Sequence, residues 1–557
     1  MATTENGMHI EPKGQLTQAA SGVRIYDTAH HKVMDFRPVT PGKVTMYVCG
    51  ATVQASPHVG HVRAGVSFDV IRRWFMKLGY EVTFVRNVTD IDDKILDKAA
   101  ADGQNWWARA YYYEQEFSQA YRVLGVLTPT YEPRATGHVT DMVDLVQRLI
   151  DRGHAYLIPN PDGSPSGNVY FDVPSWPHYG ELTHQQAGTQ ATGDESARIA
   201  DAMGPSVDAA GEDKYNPADE ADLSEEKHDP RDFALWKASK DSDPLTARWR
   251  TPFGTGRPGW HLECSAMSHR YLGDEFDIHG GGLDLRFPHH ENEMAQSRAA
   301  GWGFAHYWMH SAWVTQKGEK MSKSLGNGLS IPVVLSQCTP WMVRYALATV
   351  QYRSMLEWSQ QTIAEAQSAY SRISNFLDHA GAAVGQPSRQ EVTSYPADQL
   401  PQDFIAAMND DFNVSTALAA VFSSIRYGNT TMNDLATLPE GSERDQAITL
   451  LKESLLLVRA MLDVFGLDPL DPQWLPGGDG FPAQAEDSAQ ADKTSGASSS
   501  QTSKVLDSLI RSQLDQRQAA RKAKDFARAD AIRNSLAAAG ISIEDGPQGS
   551  SWKFHES

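Results

Sequence analysis

The apolar positions along the N-terminal part of the chain alternate between two periods. Val44 to Cys49 is a short, nearly continuous apolar run, bounded by Pro41 and Gly42 before it and Gly50 after it, which predicts a buried strand. From His61 onward, Val62, Val66, Val70, Ile71, Trp74 and Leu78 recur at helical spacing, and Gly79 supplies the stop. Glu81 to Val88 then reads as a second strand. A strand, a helix and a strand in this order predict parallel pairing through a right-handed crossover, with ligands beyond the carboxyl ends of the strands. Cys49 and the string His58, Val59, Gly60, His61 fall at such an end.

Further along, residues 105–155 have helical patterning, and Val169 to Val173 reads as a strand opening an inserted segment. Residues 187–227 are acidic and poor in large apolar side chains, which predicts a mobile loop. Order resumes at Phe233 to Trp236, and helical patterning dominates from Ser354 to Phe465. Residues 476–503 are rich in Gly, Ala, Ser and Asp, a linker composition. Lys504 to Ala538 reads as a basic helical pair, and Ile541 to Phe554 as a terminal strand or hairpin.

At 557 residues the chain exceeds one core, and about 150 residues per domain gives three or four units. The formal net charge of −20 argues against a nucleic-acid partner, yet an acidic body can carry one local basic surface. Cys49, Cys264 and Cys338 are too few and too far apart for a disulfide framework, which points to a reducing cytoplasm. The N-terminal residues are polar, without an apolar signal region, and no apolar run approaches the ~20 residues of a membrane helix.

The chemistry concentrates in three strings. His58 and His61 at a helix start add ring N–H donors to free backbone N–H groups and the positive dipole end, and Gly60 admits close approach of a flat ring. Lys320 and Lys323, in the run Lys320 to Ser324, offer two ammonium groups on a loop flanked by Gly318 and Gly326. Between them, His279 to Asp284 places Gly281 and Gly282 for close approach and Asp284 as an acceptor for ribose hydroxyls. Each alone also reads as a helix cap, an exposed basic loop or a glycine turn. In this order they describe activation of a carboxylate by ATP, where donors aimed at the phosphate oxygens lower the barrier.

With these strings the chain resembles the class I aminoacyl-tRNA synthetases, and within them the cysteinyl-tRNA synthetase family. Further matching runs are Tyr47 to Val53, Asn87 to Lys94, Gly259 to Met267 and Phe287 to Glu293, and the resemblance extends from about Arg24 to Phe554. It implies an α/β architecture: a Rossmann catalytic domain in two halves (24–160 and 251–315) around a connective insert (161–250), a loop and stem-contact region (316–395), a helical tRNA-binding bundle (396–475), a linker (476–503) and a small mixed α/β anticodon-binding domain (504–557).

Spacing alone leaves Cys49 and Cys264 as two free thiols and His289 with Glu293 as one face of a surface helix. The resemblance implies instead that these four hold one Zn²⁺ per subunit, a donor set that suits zinc. Thr52, Trp260 and His279 are the expected substrate contacts, although Trp260 reads equally as a core aromatic and His279 as a proton shuttle. His290 reads as a helix cap and Cys338 as a small buried hydrophobe. Arg517, Arg521, Lys522, Lys524, Arg528 and Arg533 suit phosphate contacts, and Trp552 suits stacking on an unpaired base. The implied enzyme is a cytoplasmic monomer that uses ATP with Mg²⁺, L-cysteine and tRNA-Cys. A ligase passing activated cysteine to an aminosugar would share the catalytic domain but not need the chain after about residue 400.

Overall fold

The N-terminal unit (residues 1–483) begins with an antiparallel pair, β1 (Arg24–Asp27) and β2 (Lys32–Asp35), which leads into β3 (Lys43–Val48). Val44, Met46, Tyr47 and Val48 are all buried in β3, the mark of a parallel strand covered on both faces. Helix α1 (Val59–Lys77) buries Val62, Val66, Val70, Ile71 and Trp74, and the chain returns in β4 (Glu81–Arg86), parallel to β3. β4 stops two residues short of the expected Val88. The Asn87 side chain turns inward there, and its Oδ1 accepts from Gly50 N at 2.8 Å.

The stretch 105–155 is two helices, with α2 (Asp93–Ala101) before them: α3 (Trp106–Val123) and α4 (Val139–Asp151). Pro129 and Pro133 lie between α3 and α4, where neither can support a helical hydrogen bond. The insert forms a five-stranded antiparallel sheet from β5 (Ala155–Pro159), β6 (Pro165–Phe171), β7 (Phe233–Ala238), β8 (Trp249–Thr251) and β9 (Gly254–Pro258), in the order β5-β6-β7-β9-β8. The chain then re-enters the first domain through α5 (Trp260–Leu272), β10 (Glu275–Gly282), α6 (Glu291–Ala299) and β11 (Phe304–Ser311).

The central sheet has the order β11-β10-β3-β4, all parallel. Succession runs outward from β3 to β4 on one side and from β10 to β11 on the other, so the switch point lies between β3 and β10, where open α/β sheets bind ligands. Beyond it, β12 (Val314–Gln316) pairs with β13 (Glu319–Lys320) and with β14 (Leu356–Glu357), while α7 (Ile331–Leu335) and α8 (Pro340–Ala348) lie between them in the chain. The helical part follows as α9 (Gln360–Val384), α10 (Arg389–Ser394), α11 (Gln402–Asn409), α12 (Val414–Thr437) and α13 (Ser442–Val464).

This computed structural model describes residues 16–184, 226–316, 319–320 and 329–480, and, near the C-terminus, 513–514, 517–518, 520–521, 525–538, 541–546 and 549–554. Almost all of the acidic stretch, Lys323 and most of the linker lie outside the described residues. Within the C-terminal unit (residues 484–557), α14 (Phe526–Ala538) precedes an antiparallel hairpin of β15 (Ile541–Gly546) and β16 (Gly549–Phe554), the hairpin expected from the sequence. No helix among the described residues is long and apolar enough to cross a membrane.

Candidate active site and metal cluster

A cavity of about 660 Å³ opens at the carboxyl ends of β3 and β10, lined among others by Cys49, Thr52, His58, Gly60, His61 and Trp260. Its position follows from the sheet order, because the chain must diverge around the switch point. His58 is the residue before α1, and its ring stacks on that of His61 with centroids 3.6 Å apart. His61 Nδ1 accepts from the His58 backbone N at 3.2 Å, so the pair is held in one orientation at the positive end of a 19-residue helix. Gly282 and Asp284 also line the cavity, and Lys94 and Lys98 of α2 add two cations to its wall.

The segment after the lysine-rich loop reaches the same place. Val59 N donates to Leu329 O at 3.1 Å, and His58 bridges to Ser330. At the other end of that loop, Lys320 belongs to β13, which is paired to β12, and Val314 of β12 lines the cavity. The described residues on either side of 321–328 are therefore joined to the cavity wall and to the HVGH string.

On the floor of the cavity, Cys49 belongs to a second group. Ligand atoms of Cys49, Cys264, His289 and Glu293 all lie within 4.8 Å of one another. Cys49 follows β3 directly and is tied to β10 through Cys49 N to Gly280 O at 2.9 Å. Cys264 lies on α5, while His289 and Glu293 straddle the start of α6 after the cis Phe287–Pro288 bond. The Sγ atoms of Cys49 and Cys264 are 3.5 Å apart, Cys49 Sγ is 3.3 Å from Glu293 Oε1, and His289 Nε2 is 2.9 Å from the same oxygen. Tetrahedral zinc with bonds of about 2.0–2.3 Å has donor–donor edges of about 3.3–3.8 Å, so the thiolate and carboxylate spacings fit the ion directly and His289 needs only a small outward shift.

The electrostatics also fit a cation. Burial opposes ionisation of Cys264, but the Cys49 thiol donating to it and the adjacent His289 bring it down to about 6. Burial and the neighbouring Cys264 push Cys49 well up. Against the cost of burial, Glu293 is held down to about 2 by His279 and His289, and His289 is raised to about 10 by Glu293 and Cys264. Negative donors confined this closely are stabilised when a metal joins them.

The structure brings eleven of the fifteen expected site residues to the cavity or the cluster, and the remaining four differ. Gly281 lies on β10 outside the cavity lining, where a Cβ would meet the ring of His290. His279 is fully buried and stands behind the cluster, its Nε2 2.8 Å from Glu293 Oε2 and its ring stacked on Trp308. It braces Glu293 rather than facing the cavity. Of the lysines, Lys320 is placed by its backbone alone and Lys323 lies outside the described residues. Trp260 is half-buried; it lines the cavity and stacks on His289 with centroids 4.2 Å apart.

His290 caps nothing with its side chain. Its Nδ1 lies 2.8 Å from His310 Nε2 in the core, and the turn before it is kinked at Phe287, which is extended (φ −135°, ψ 136°). Cys338 is half-buried, with its Sγ on Val334 O. In the C-terminal unit Arg517 is buried, whereas Arg521 and Arg533 are exposed. The Lys522, Lys524, Arg528 and Trp552 side chains lie outside the described set.

His261 escaped the sequence reading. It meets His289 at 3.0 Å between Nδ1 atoms, and its place three residues before Cys264 on one helix was the available signal. Cys49, Glu293, His279 and His290 form a second group with metal-binding spacing. The set with Cys264 and His289 has two thiolates and an opening to the cavity, and suits zinc better.

Residues 35–368 match the family described as tRNA synthetases class I (C) catalytic domain, residues 403–469 the DALR domain, and residues 506–552 the cysteinyl-tRNA ligase anticodon binding domain. The cysteine–tRNA ligase of Bifidobacterium longum is 64% identical over 540 residues, covering 97% of this chain and 96% of the relative. That of Streptomyces avermitilis is 47% identical over 530 residues, covering 95% and 98%. Among solved structures, Mycobacterium tuberculosis methionyl-tRNA synthetase in complex with methionyl-adenylate aligns with a TM-score of 0.52 at 17% identity, covering 77% of this chain and 91% of that one, a likeness of fold. With a class I catalytic domain across most of its length and near-complete coverage of relatives at such identity, this chain belongs to the cysteine–tRNA ligase family.

Proposed function

We propose that this chain joins L-cysteine to tRNA-Cys in two steps within one cavity, with a zinc ion choosing the amino acid by its thiol. In the first, the cysteine carboxylate attacks the α-phosphorus of ATP, pyrophosphate leaves with the bond electrons, and cysteinyl-adenylate forms. In the second, a terminal ribose hydroxyl of the tRNA attacks the activated carbonyl and AMP leaves. The observation that carries this reading is that Cys49 lies both in the wall of the cavity shared with His58 and His61 and in the buried four-residue cluster.

Each residue then has a task set by its place. The imidazoles of His58 and His61 and the open N–H groups of α1 meet the developing charge on the phosphates. The ammonium groups of Lys320 and Lys323 are assigned to the charge of the departing pyrophosphate, and Mg²⁺ accompanies ATP. Gly282 and Asp284 accept the nucleoside, and Trp260 and Thr52 enclose the amino acid. Cys49, Cys264, His289 and Glu293 would hold the ion, which supplies soft coordination of a thiol that a hydroxyl cannot match. A discrimination of ~10⁴-fold against serine corresponds to about 5.4 kcal/mol, beyond what shape gives for near-isosteres.

The decisive assay is exchange of labelled pyrophosphate into ATP, dependent on cysteine and silent with serine, followed by charging of tRNA-Cys. Absence of cysteine-dependent exchange refutes the reading. Cys264→Ser is expected to lower zinc content and selectivity together; selectivity retained without zinc refutes the role of the metal.

A further inference from the structure

Between α11 and α12 the chain passes through two consecutive non-glycine residues in the left-handed region, Asp411 (φ 57°) and Phe412 (φ 53°). L side chains adopt this conformation only where surrounding contacts enforce it. Phe412 is fully buried and packs edge-on against Phe75 of α1, while Asp411 is 3% exposed. The contacts of Asp411 converge from two segments distant in sequence, 24–26 and 351–353. Its Oδ1 accepts from the Tyr26 backbone N at 2.8 Å and from the Tyr352 hydroxyl at 2.7 Å, and its Oδ2 accepts from Arg353 Nε at 2.7 Å. Its carbonyl accepts from Gln351 Nε2 at 2.8 Å, and its own N–H donates to Arg24 O at 3.0 Å. Arg353 is further held over the ring of Tyr26, 4.3 Å from its centroid.

The segment so gripped, 351–354, is also the wall on which the catalytic strings lean. Arg63, two residues after His61 on α1, is 1% exposed and donates through Nη2 to Gln351 O at 3.2 Å and Ser354 O at 2.6 Å. It has no carboxylate partner among the described residues, and its Nε and Nη1 have no hydrogen-bond partner there either, so these two carbonyls fix it. Ala312, in the cavity wall, donates to Tyr352 O at 2.8 Å. Two residues beyond Ser354, β14 begins its pairing with β12, and β12 pairs in turn with the strand holding Lys320.

We propose that Asp411 is a positioning residue through which the helical domain sets the placement of α1 and of the β12–β13 ladder, so that the activation step depends on a carboxylate outside the active site. The inference rests on the proposed activation chemistry and identifies what holds its parts in register. Asp411 touches no substrate. It fixes Gln351, Tyr352 and Arg353, and these fix Arg63, Ala312 and β14.

The test compares full-length, zinc-loaded Asp411→Asn and Tyr352→Phe with the native chain, and uses Asp468→Asn as a control. Asp468 is equally buried but is bonded to Arg459 inside the helical domain. Native exchange with cysteine checks the proposed function by itself, and the variants check only this inference. Per titrated active site, kcat for cysteine-dependent pyrophosphate exchange is expected to fall about tenfold in Asp411→Asn, within the range of coupling between distant sites. Tyr352→Phe, which removes one hydroxyl and keeps the ring, is expected to shift in the same direction. KM for cysteine stays within about twofold, because the zinc cluster is not on this path, and the control keeps kcat while losing stability. Native kcat per active site in both variants overturns the proposal, whether or not the KM for tRNA rises. A fall of the same size in the Asp468→Asn control also overturns it.

Discussion

Asp69 offers a stability prediction whose magnitude can be worked from its surroundings. The residue is buried on the face of α1 that meets the C-terminal end of α13 and the loop after α3. Its Oδ2 receives Arg73 Nε at 2.8 Å and Arg344 Nη2 at 2.5 Å, and its Oδ1 receives Leu127 N at 2.8 Å. Arg344, fully buried on α8, spends its other donors on Phe465 O at 2.8 Å and Leu124 O at 2.9 Å. Burial alone would raise the Asp69 pKa, but Arg73 and Arg344 overcome it and hold it down to about 2 from 3.8. A folded-state value below the unfolded one contributes stability that is complete above pH 4 and is lost as pH falls towards 2. The difference of roughly 1.8 units is worth about 2.4 kcal/mol, of which about half is gone at pH 3.

Asp69→Asn keeps the shape, removes the charge and takes from the buried Arg344 the carboxylate it contacts. The expected loss at pH 7 is about 3–5 kcal/mol, the range for breaking one partner of a buried pair. Paired denaturant titrations of the native and variant chains, followed from pH 7 to pH 3, measure it. The gap between them is expected to narrow below pH 4, since only the native chain has a carboxylate to protonate. A loss under about 1 kcal/mol at pH 7, or a gap that stays constant through pH 3, refutes the reasoning.

Gly50→Ala places a Cβ 1.7 Å from Asn87 O, backbone that cannot swing aside, so the turn carrying Cys49 must move. A stability loss of at least about 1–3 kcal/mol is expected together with reduced zinc content; an unchanged thermal midpoint with full metal content counts against it. Zinc uptake should release about two protons per ion near pH 7, because the raised Cys49 thiol and the protonated His289 must both give one up, whereas Cys264 at about 6 is already mostly thiolate. Indicator-dye titration of the metal-free chain reads this number, and release near zero contradicts the assigned ligands.

The parallel unit around β3, α1 and β4 was legible because its period changes from strand to helix and back within one stretch of chain. The end of β4 was not, since Asn87 leaves the ladder to accept from Gly50 N, a contact that no local pattern encodes. The metal cluster was legible only through family resemblance. Cys49 and Cys264 are 215 positions apart, and spacing says nothing about thiols that meet across a sheet. His261 carried a usable signal in its helical offset from Cys264, but the inward ring of His290 follows a kink at the extended Phe287 that no helical pattern encodes. Asp411 was invisible for a different reason: its left-handed backbone is imposed by partners near residues 24 and 352, and an aspartate between two helices normally reads as a cap.

The cluster and the phosphate end of the cavity are tied together by topology. Cys49 is the first residue after β3 and His58 the last before α1, so ten residues of chain hold both a proposed metal ligand and the first proposed catalytic imidazole. The remaining ligands arrive from α5 and α6, which flank β10, and β10 is hydrogen-bonded to β3 at the same level through Cys49 N and Gly280 O. A shift of β3 against β10 that opened the donor cluster would therefore also displace the start of α1. Under the proposed function, selection of the thiol and activation of its carboxylate would depend on one strand pairing, and a substitution that loosens that pairing should degrade both in proportion rather than trade one for the other.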